Sequence, residues 1–198
     1  MDVHMQLVEG RECGECRACC QAPPINSHDI VKLSNTDCHN LRPDGKCKIY
    51  ADRPSVCSAF HCVWRSAEAL SNDWRPDKFG VLIEYCQEDF PGIFADRVGY
   101  RFRILDKEKA FANNKFRKFV ARQIKDWVPC VLTYGLNPGQ VPASVFLNIT
   151  LAEVVKNKDS IGLKIQLLKA LENCEKLPEK TMKIKGDQMI PVTSEDNK

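Results

Sequence analysis

Cysteine is concentrated in the first third of this chain. Eight of its eleven cysteines fall between residues 13 and 62, and the other three, Cys86, Cys130 and Cys174, are scattered over the rest. A cluster of this density is held together either by disulfides or by metal, and the redox compartment decides between the two. Because the total is odd, a scheme made only of disulfides would leave one cysteine unpaired.

The first ten residues, MDVHMQLVEG, are typical of a cytoplasmic protein. They contain two acidic residues and no apolar run, whereas a secretory signal has a basic start followed by an apolar stretch. Cytosolic thiols are kept reduced, so clustered cysteines in such a chain favour metal over disulfides. We therefore expect cytoplasmic localisation, a metal-binding cysteine segment, and three ordinary buried thiols at the scattered positions.

Composition is that of an ordinary globular protein. The chain has 198 residues, of which 43% are hydrophobic and 28% are charged, so it can bury a core without disulfides. Residues 127–152 carry no charge, but several prolines and the turn at Asn137-Pro138-Gly139 interrupt them. Such breaks would leave backbone groups without partners in lipid, so we expect two buried strands around this turn and no membrane partner.

Hydrophobic periodicity predicts an α+β fold. Its signals do not alternate regularly between strand and helix, which argues against a parallel β-α-β arrangement. Strands are predicted over residues 79–86, 98–105, 130–135 and 143–149, with the first two forming a long-looped hairpin. Helices are predicted near residues 28–33 and over 109–127. A third helix is predicted to begin at Thr150, where Thr150 and Glu153 form a capping-box pattern. A fourth is predicted over 160–175, with an apolar stripe at Ile161, Ile165, Leu168 and Leu171.

The chain divides into three segments on composition. Residues 1–66 form a turn-rich cysteine module, residues 67–176 form the α+β body, and residues 177–198 are polar and predicted to be a mobile tail. The module contains little apolar material with which to hold itself together by burial. We therefore expect it to pack on the body as part of one compact domain and to be ordered by metal.

The cysteine spacing indicates which thiols share a metal centre. The first part of the module is the run C-x2-C-x2-C-C, a spacing that wraps three thiolates around one centre. The full ligand pool is Cys13, Cys16, Cys19, Cys20, Cys38, Cys47, Cys57 and Cys62. Two zinc sites would use all eight thiolates, and one [4Fe–4S] cluster would use four. We expect Cys13, Cys16 and Cys19 to share a centre completed by Cys57 or Cys62. An extended backbone at Cys19-Cys20 would turn the Cys20 side chain away from its neighbour, so Cys20 is expected to serve a different centre.

The combined pattern resembles a known family. The run C-x2-C-x2-C-C is followed by G-x-C-x-I-Y-x-x-R-P-x-x-C, with Cys62 closing the module and Cys38 at a further cysteine position. This is similar to the CxxCxxCC (YkgJ-like) cysteine-cluster family, which is described as a zinc- or iron-chelating domain. The cluster is also similar to that of flagellin lysine-N-methylase, and this similarity implies an iron–sulfur centre. The resemblance covers about a quarter of the chain, so it does not carry the methylase activity with it.

Tyr50 and Arg53 are the predicted cofactor-binding residues of the module. A guanidinium beside the cluster would donate hydrogen bonds to its sulfurs. The alternative is that Arg53 pairs with Asp52 or Asp44, and the sequence does not choose between the two. His39 and His61, next to Cys38 and Cys62, are expected to be exposed or to lie behind the ligands.

These observations predict a cytosolic metal-binding protein, with iron–sulfur placed ahead of zinc. One alternative is a cluster-dependent enzyme acting on a protein substrate, by lysine methylation or redox chemistry, for which no catalytic residue is identified. Another is a zinc-structured module that binds protein or nucleic acid. Residues 101–125 contain nine basic side chains, but helical spacing makes them the solvated face of an amphipathic helix. A protein partner is therefore expected ahead of nucleic acid.

Overall fold

The computed structural model describes residues 6–87, 90–112 and 114–192. Within these ranges the helices are α1 (Ala18–Gln21), α2 (Ser55–Ala59), α3 (Val63–Ser66), α4 (Pro76–Phe79), α5 (Lys107–Ala112), α6 (Lys115–Lys125), α7 (Leu147–Lys156) and α8 (Ser160–Lys176). The strands are β1 (Ile25–Asn26), β2 (Val31–Lys32), β3 (Val81–Cys86), β4 (Gly99–Ile104), β5 (Cys130–Tyr134), β6 (Ala143–Phe146), β7 (Met182–Lys185) and β8 (Gln188–Pro191). The predicted α+β class is confirmed.

The body is built on a four-stranded sheet with the order β3-β4-β5-β6. The outer pairs, β3 with β4 and β5 with β6, are antiparallel, as the predicted hairpins require. The central pair, β4 with β5, is parallel, and the chain between these two strands forms α5 and α6. A parallel neighbour needs such a crossover, because a tight turn can join only antiparallel strands.

One face of the sheet forms the main core against the helices. Its side chains include Val81, Ile83, Phe102 and Leu132, which are all nearly or fully buried. They belong to one apolar cluster with the inner faces of α6, α7 and α8. Each such side chain stabilises the fold by roughly 1.5–3 kcal/mol on burial, so this layer is the main source of stability.

The opposite face of the sheet is polar along β3 and β4. Strand alternation and register place Glu84 beside Arg101, and Leu82 beside Arg103, on this face. Glu84 and Arg103 are nonetheless buried, with only 4% and 7% of their surfaces exposed. The cysteine module covers them, since these strand residues and the module cysteines line one cavity. The sheet therefore lies between a helical layer and the cysteine module.

The cysteine module is tied to the far end of the body through the turn between β5 and β6. Gly139 donates its backbone N–H to the carbonyl of Ser34, at 2.8 Å, and the Ser34 hydroxyl hydrogen bonds the carbonyl of Gln140. Asn35 donates its side-chain amide to the carbonyl of Gly135, at 2.7 Å. Although the module contains only short helices and two-residue strands, these bonds hold its middle against the sheet.

Several predicted elements are wrong in place or type. The helix near residues 28–33 is instead the small β1–β2 ladder, and the helix over 109–127 is two helices, α5 and α6. The α7 helix begins at Leu147, so Thr150 is not its cap, and its hydroxyl donates to the carbonyl of Phe146. Ile161 and Ile165 are exposed, because α8 turns Leu163, Leu167 and Leu171 towards the core.

The segment after α8 contains a hairpin, β7–β8, where the sequence predicts a mobile tail. Its first strand is held by backbone bonds, from Val141 to the carbonyl of Lys180 and from Met182 to the carbonyl of Gly139. The tail's last residues, 193–198, lie outside the described residues. No helix in the described part of the chain is long and apolar enough to cross a bilayer.

Candidate metal centre

A cavity of about 710 Å³ separates the cysteine module from the polar face of the sheet. Seven of the eight module cysteines line it, and Cys62 is the exception. All eight are half-buried, whereas Cys86, Cys130 and Cys174 are buried in the body, which confirms the expectation for those three. None of the eleven forms a disulfide.

The first four cysteines are presented by a turn and a short helix. Cys16 donates its backbone N–H to the carbonyl of Cys13 at 2.9 Å, which closes a turn around Gly14. Cys19 and Cys20 then lie on α1, where the backbone is helical rather than extended. Their thiols hydrogen bond each other, and this bond raises the pKa of Cys19 and lowers that of Cys20 to about 7.

The next cysteines are brought to the first run by backbone pairing. Cys38 donates its N–H to the carbonyl of Cys20, at 3.1 Å, and Cys47 pairs with Leu41 in an isolated bridge. Gly45 adopts a positive φ of 83°, and a side chain there would meet Arg17 Nε at 3.2 Å. Glycine therefore allows the loop before Cys47 to pack closely on the first cysteine run.

Cys57 and Cys62 approach the cavity region from opposite sides of a short extended link. Cys57 lies within α2 and Cys62 directly precedes α3, with Phe60 extended between the two helices. Arg65 donates its backbone N–H to the carbonyl of Cys62 at 2.9 Å. Burial raises the pKa of the Cys62 thiol to about 11, against the lowering effect of the nearby Arg65 and Trp64 backbone. The extended backbone at Phe60 separates the two cysteines, and their thiols have different neighbours.

The eight thiols fall into two sets of four, according to which other thiols lie close enough to affect the pKa of each. Burial and the nearby thiols of Cys13 and Cys16 raise the pKa of Cys62, and the same two thiols add to the raised pKa of Cys19. Burial raises the pKa of Cys57, and its thiol neighbours are Cys38, Cys20 and Cys47. We call Cys13, Cys16, Cys19 and Cys62 the first thiol group, and Cys20, Cys38, Cys47 and Cys57 the second thiol group.

The thiols of each group are neighbours but are not already gathered around a point. Across the described residues, no three side chains of His, Cys, Asp or Glu meet closely enough to hold a metal ion. Binding would therefore require the cysteine side chains to turn towards a common centre. Zinc–sulfur bonds are about 2.3 Å long, so four thiolates must converge on one tetrahedral point.

The second thiol group has two cations beside it. Lys32 is 3% exposed, and its ammonium donates to the carbonyls of Gln21, Leu33 and Thr36 at 2.7, 2.8 and 3.1 Å. Burial lowers the pKa of Lys32 to about 8, against the opposing effect of nearby Cys38 and Cys20. A positive charge here favours thiolates over thiols in this group.

Arg53 is the second of these cations. Its guanidinium carbon lies 4.0 Å from the centroid of the Tyr50 ring, a cation–π contact that joins the two predicted cofactor-binding residues. The pKa of Cys20 is lowered in part by Lys32 and Arg53. Asp44 pairs with Arg42 at 2.9 Å instead, and among the described residues no ion pair joins Arg53 to Asp52.

The first thiol group has a carboxylate beside it. Burial raises the pKa of Cys16, and the charge of Asp77 raises it further. Asp77 is held by a bidentate pair with Arg75, in which both N–O distances are 2.7 Å. The two groups therefore differ in their surroundings, since the first faces an ion pair and the second faces two cations.

Sequence reasoning missed the polar residues that complete the site. Lys32 lies in the segment predicted to be helix, and Glu84 and Arg103 lie in strands. A signal was present, because Glu84 is the one charged residue in the apolar run FGVLIEYC. Arg101 and Arg103 lie on β4 and line the cavity, so these two members of the basic stretch 101–125 are not part of a helix surface. His39 is exposed and His61 half-exposed, as expected, and neither lines the cavity.

The chain was compared with protein families, curated proteins and solved structures. The chain matches no protein-family model, and neither the curated proteins nor the solved structures contain a match to it.

Proposed function

We propose that this chain is a metal-binding protein whose cysteine module holds two thiolate centres, one in each thiol group. The proposal is supported chiefly by the division of eight half-buried thiols into two neighbouring sets of four. Four thiolates complete a tetrahedral zinc site, and four also complete the ligand set of a [4Fe–4S] cluster. This division assigns Cys62 to the first centre and Cys57 to the second.

The chemistry of the two groups favours different occupants. The first group contains the C-x2-C-x2-C run, which is the spacing that iron–sulfur clusters use, so an iron–sulfur centre is assigned there. The second group draws its thiols from four separate segments, and Lys32 and Arg53 offset the negative charge of four thiolates around a dication. Zinc suits that group as a structural ion, and an iron–sulfur centre would supply electron transfer when bound.

Metal supplies the stability that the module lacks. Its helices have four or five residues and its strands have two, so backbone hydrogen bonding and apolar burial are limited there. Metal that joins Cys13 to Cys62 and Cys20 to Cys57 would close two long loops, one inside the other. The module is therefore expected to fold with its metal, while the sheet and helices fold around their own core.

Anaerobic purification followed by metal and sulfide analysis and a visible spectrum tests the proposal. Cys16→Ser is expected to remove only the first centre, and Cys57→Ser only the second, because each deletes one of four ligands. Cys86→Ala, which removes a buried thiol of the body, is the matched control and should keep both centres. Full metal content in both Cys16→Ser and Cys57→Ser would contradict the proposal.

A second candidate function, catalysis at the metal centre, is favoured by the cavity that the thiols share with the sheet. A purely structural site needs no open space beside its ligands, whereas this one adjoins a cavity of about 710 Å³. If the activity is methyl transfer to a protein lysine, S-adenosylmethionine must bind the metal-loaded protein. Isothermal titration calorimetry measures this directly, and the absence of a heat signal would remove the methyltransferase version.

A further inference from the structure

The wall of the cavity opposite the thiols carries a buried ion pair. Glu84 Oε1 accepts from Arg103 Nε at 2.9 Å, and Glu84 Oε2 accepts from Arg101 Nη1 at 3.4 Å. A buried ion pair contributes little to stability compared with apolar side chains of similar size. The pair joins the edge strand β3 to its neighbour β4 and faces a cavity, and this position points to a binding role.

The cavity is large enough for a small molecule. Its volume of about 710 Å³ falls within the range of roughly 300–1,000 Å³ that ligand pockets occupy. A bound ion displaces about as much space as a water, whose share of liquid volume is about 30 Å³. Space for an organic ligand therefore remains beside zinc, and an iron–sulfur centre in the first thiol group would leave less of it.

Cationic side chains outnumber carboxylates around this space. Six cationic side chains line the cavity, against the carboxylates of Glu12 and Glu84, and Glu84 is already engaged by two arginines. Two of the cations, Arg53 and Arg65, have a buried Nε that lacks a hydrogen-bond partner. Each Nε is shielded from the cavity, so the groups offered to a ligand are the outer Nη N–H groups. Across the described residues the Arg53 guanidinium makes no hydrogen bond, and Arg65 uses only Nη1, on the carbonyl of Arg11. Both guanidinium groups are therefore suited to receive an oxyanion.

Apolar side chains line the rest of the cavity. They include Ile25, Ile30, Ile49, Val56 and Phe60 from the cysteine module. A cavity with an apolar lining and a few convergent charged groups is the usual form of a small-molecule site, in which polar groups orient the ligand. The ligand that fits both features has one oxyanion and an apolar body.

We propose that this cavity binds a small amphipathic oxyanion, a carboxylate or a phosphate, whose head is held by Arg53 and Arg65 beside the thiol groups. The apolar body lies against the isoleucines and Phe60 of the module. Arg103 and Glu84 form the opposite wall of the cavity, where their ion pair fixes the positions of both side chains. The site goes beyond metal binding, because it requires the cavity and its arginines and not a particular metal.

Calorimetric titration of the metal-loaded protein with octanoate and with octyl phosphate tests the site. Octanol, which has the same chain length and no charge, is the uncharged control. Arg53→Gln and Arg65→Gln are each expected to weaken octanoate or octyl phosphate binding by about tenfold to a hundredfold, the usual range for losing a charged hydrogen bond. Arg122→Gln, which changes an exposed arginine of α6, should leave binding unchanged. The better of the two anions identifies the head group.

Metal content measured on the same samples separates this inference from the proposed function. Arginine-dependent binding supports the site whether or not the protein carries two metal centres. The inference is overturned if neither anion binds the metal-loaded protein, or if octanol binds as tightly as the anions. It is also overturned if binding occurs only after metal removal, since the arginines would then serve to offset the charge of the centres. Arg53→Lys, which keeps the charge and loses the planar pair of Nη donors, should bind weakly with full metal content.

Discussion

The thiols of Cys19 and Cys20 hydrogen bond each other on one turn of α1, although the two residues belong to different thiol groups. Cys19 has Cys13 and Cys16 as neighbours, while Cys20 has Lys32 and Arg53. The paired cysteines are therefore the junction between the two groups. Adjacent positions on a helix point about 100° apart, so one short helix can serve two centres.

Single substitutions at this junction should separate the two centres. Cys19→Ser is expected to lower metal content at the first centre only, and Cys20→Ser at the second only, because each removes a ligand of one group. Elemental analysis and the visible spectrum of each variant measure this, with Cys86→Ala as control. The assignment of the two groups would be contradicted if both variants lost the same metal and kept the same spectrum.

Chelation should loosen the cysteine module and leave the body intact. The module has few backbone bonds of its own, whereas the body has a continuous apolar core. Trypsin is expected to cut metal-free protein first within residues 13–62, and mass spectrometry of the fragments locates the cuts. Restoring metal should restore resistance. Equal cleavage of the module before and after chelation would show that metal does not order it.

Lys32 should contribute to stability through its three carbonyl partners. Lys32→Met removes a buried ammonium and leaves the carbonyls of Gln21, Leu33 and Thr36 without this donor, at a cost of about 1–3 kcal/mol. Urea unfolding of the metal-loaded protein measures the change. Lys48→Met, at an exposed lysine with one carbonyl contact at 3.3 Å, should change stability by less than about 0.5 kcal/mol. Equal effects of the two substitutions would refute the role of Lys32.

The buried thiol of Cys174 should make stability fall in alkaline solution. Burial raises the pKa of Cys174 from its ordinary 9.0 to about 11. The folded state then holds this proton more tightly than the unfolded state, so its contribution is complete below pH 9 and is lost as the pH rises towards 11. Urea unfolding at pH 8 and pH 10.5 should show a smaller loss for Cys174→Ala than for the unmodified chain. Parallel losses would count against a raised pKa.

Substitutions near the first residues of α7 and α8 test where these two helices begin. Asp159 caps α8 by accepting from the backbone N–H groups of Ile161 and Gly162, at 3.1 and 2.8 Å. Asp159→Ala is expected to cost about 0.5–2 kcal/mol in the free energy of unfolding. Thr150→Ala should have less effect, because Thr150 lies inside α7 and caps nothing. A larger loss for Thr150→Ala would favour the helix start predicted from the sequence.

Local patterns in the sequence were sufficient to predict the strands of the sheet and the proximity of the first three cysteines. Alternation over residues 98–105 predicted β4, and the spacing of Cys13, Cys16 and Cys19 predicted neighbouring thiols. Both depend only on residues close in the chain, where backbone geometry limits the possible arrangements. The helix predicted near residues 28–33 failed because a short apolar stretch does not distinguish helix from strand.

Only the tertiary structure decided how distant residues combine. It placed Cys62 near Cys13 and Cys16, and Cys57 near Cys38, Cys20 and Cys47. It also placed Arg103 and Glu84 across a cavity from the cysteine module. These contacts join segments far apart in the chain, and the path between such segments is set by packing of the whole core, which no local pattern contains.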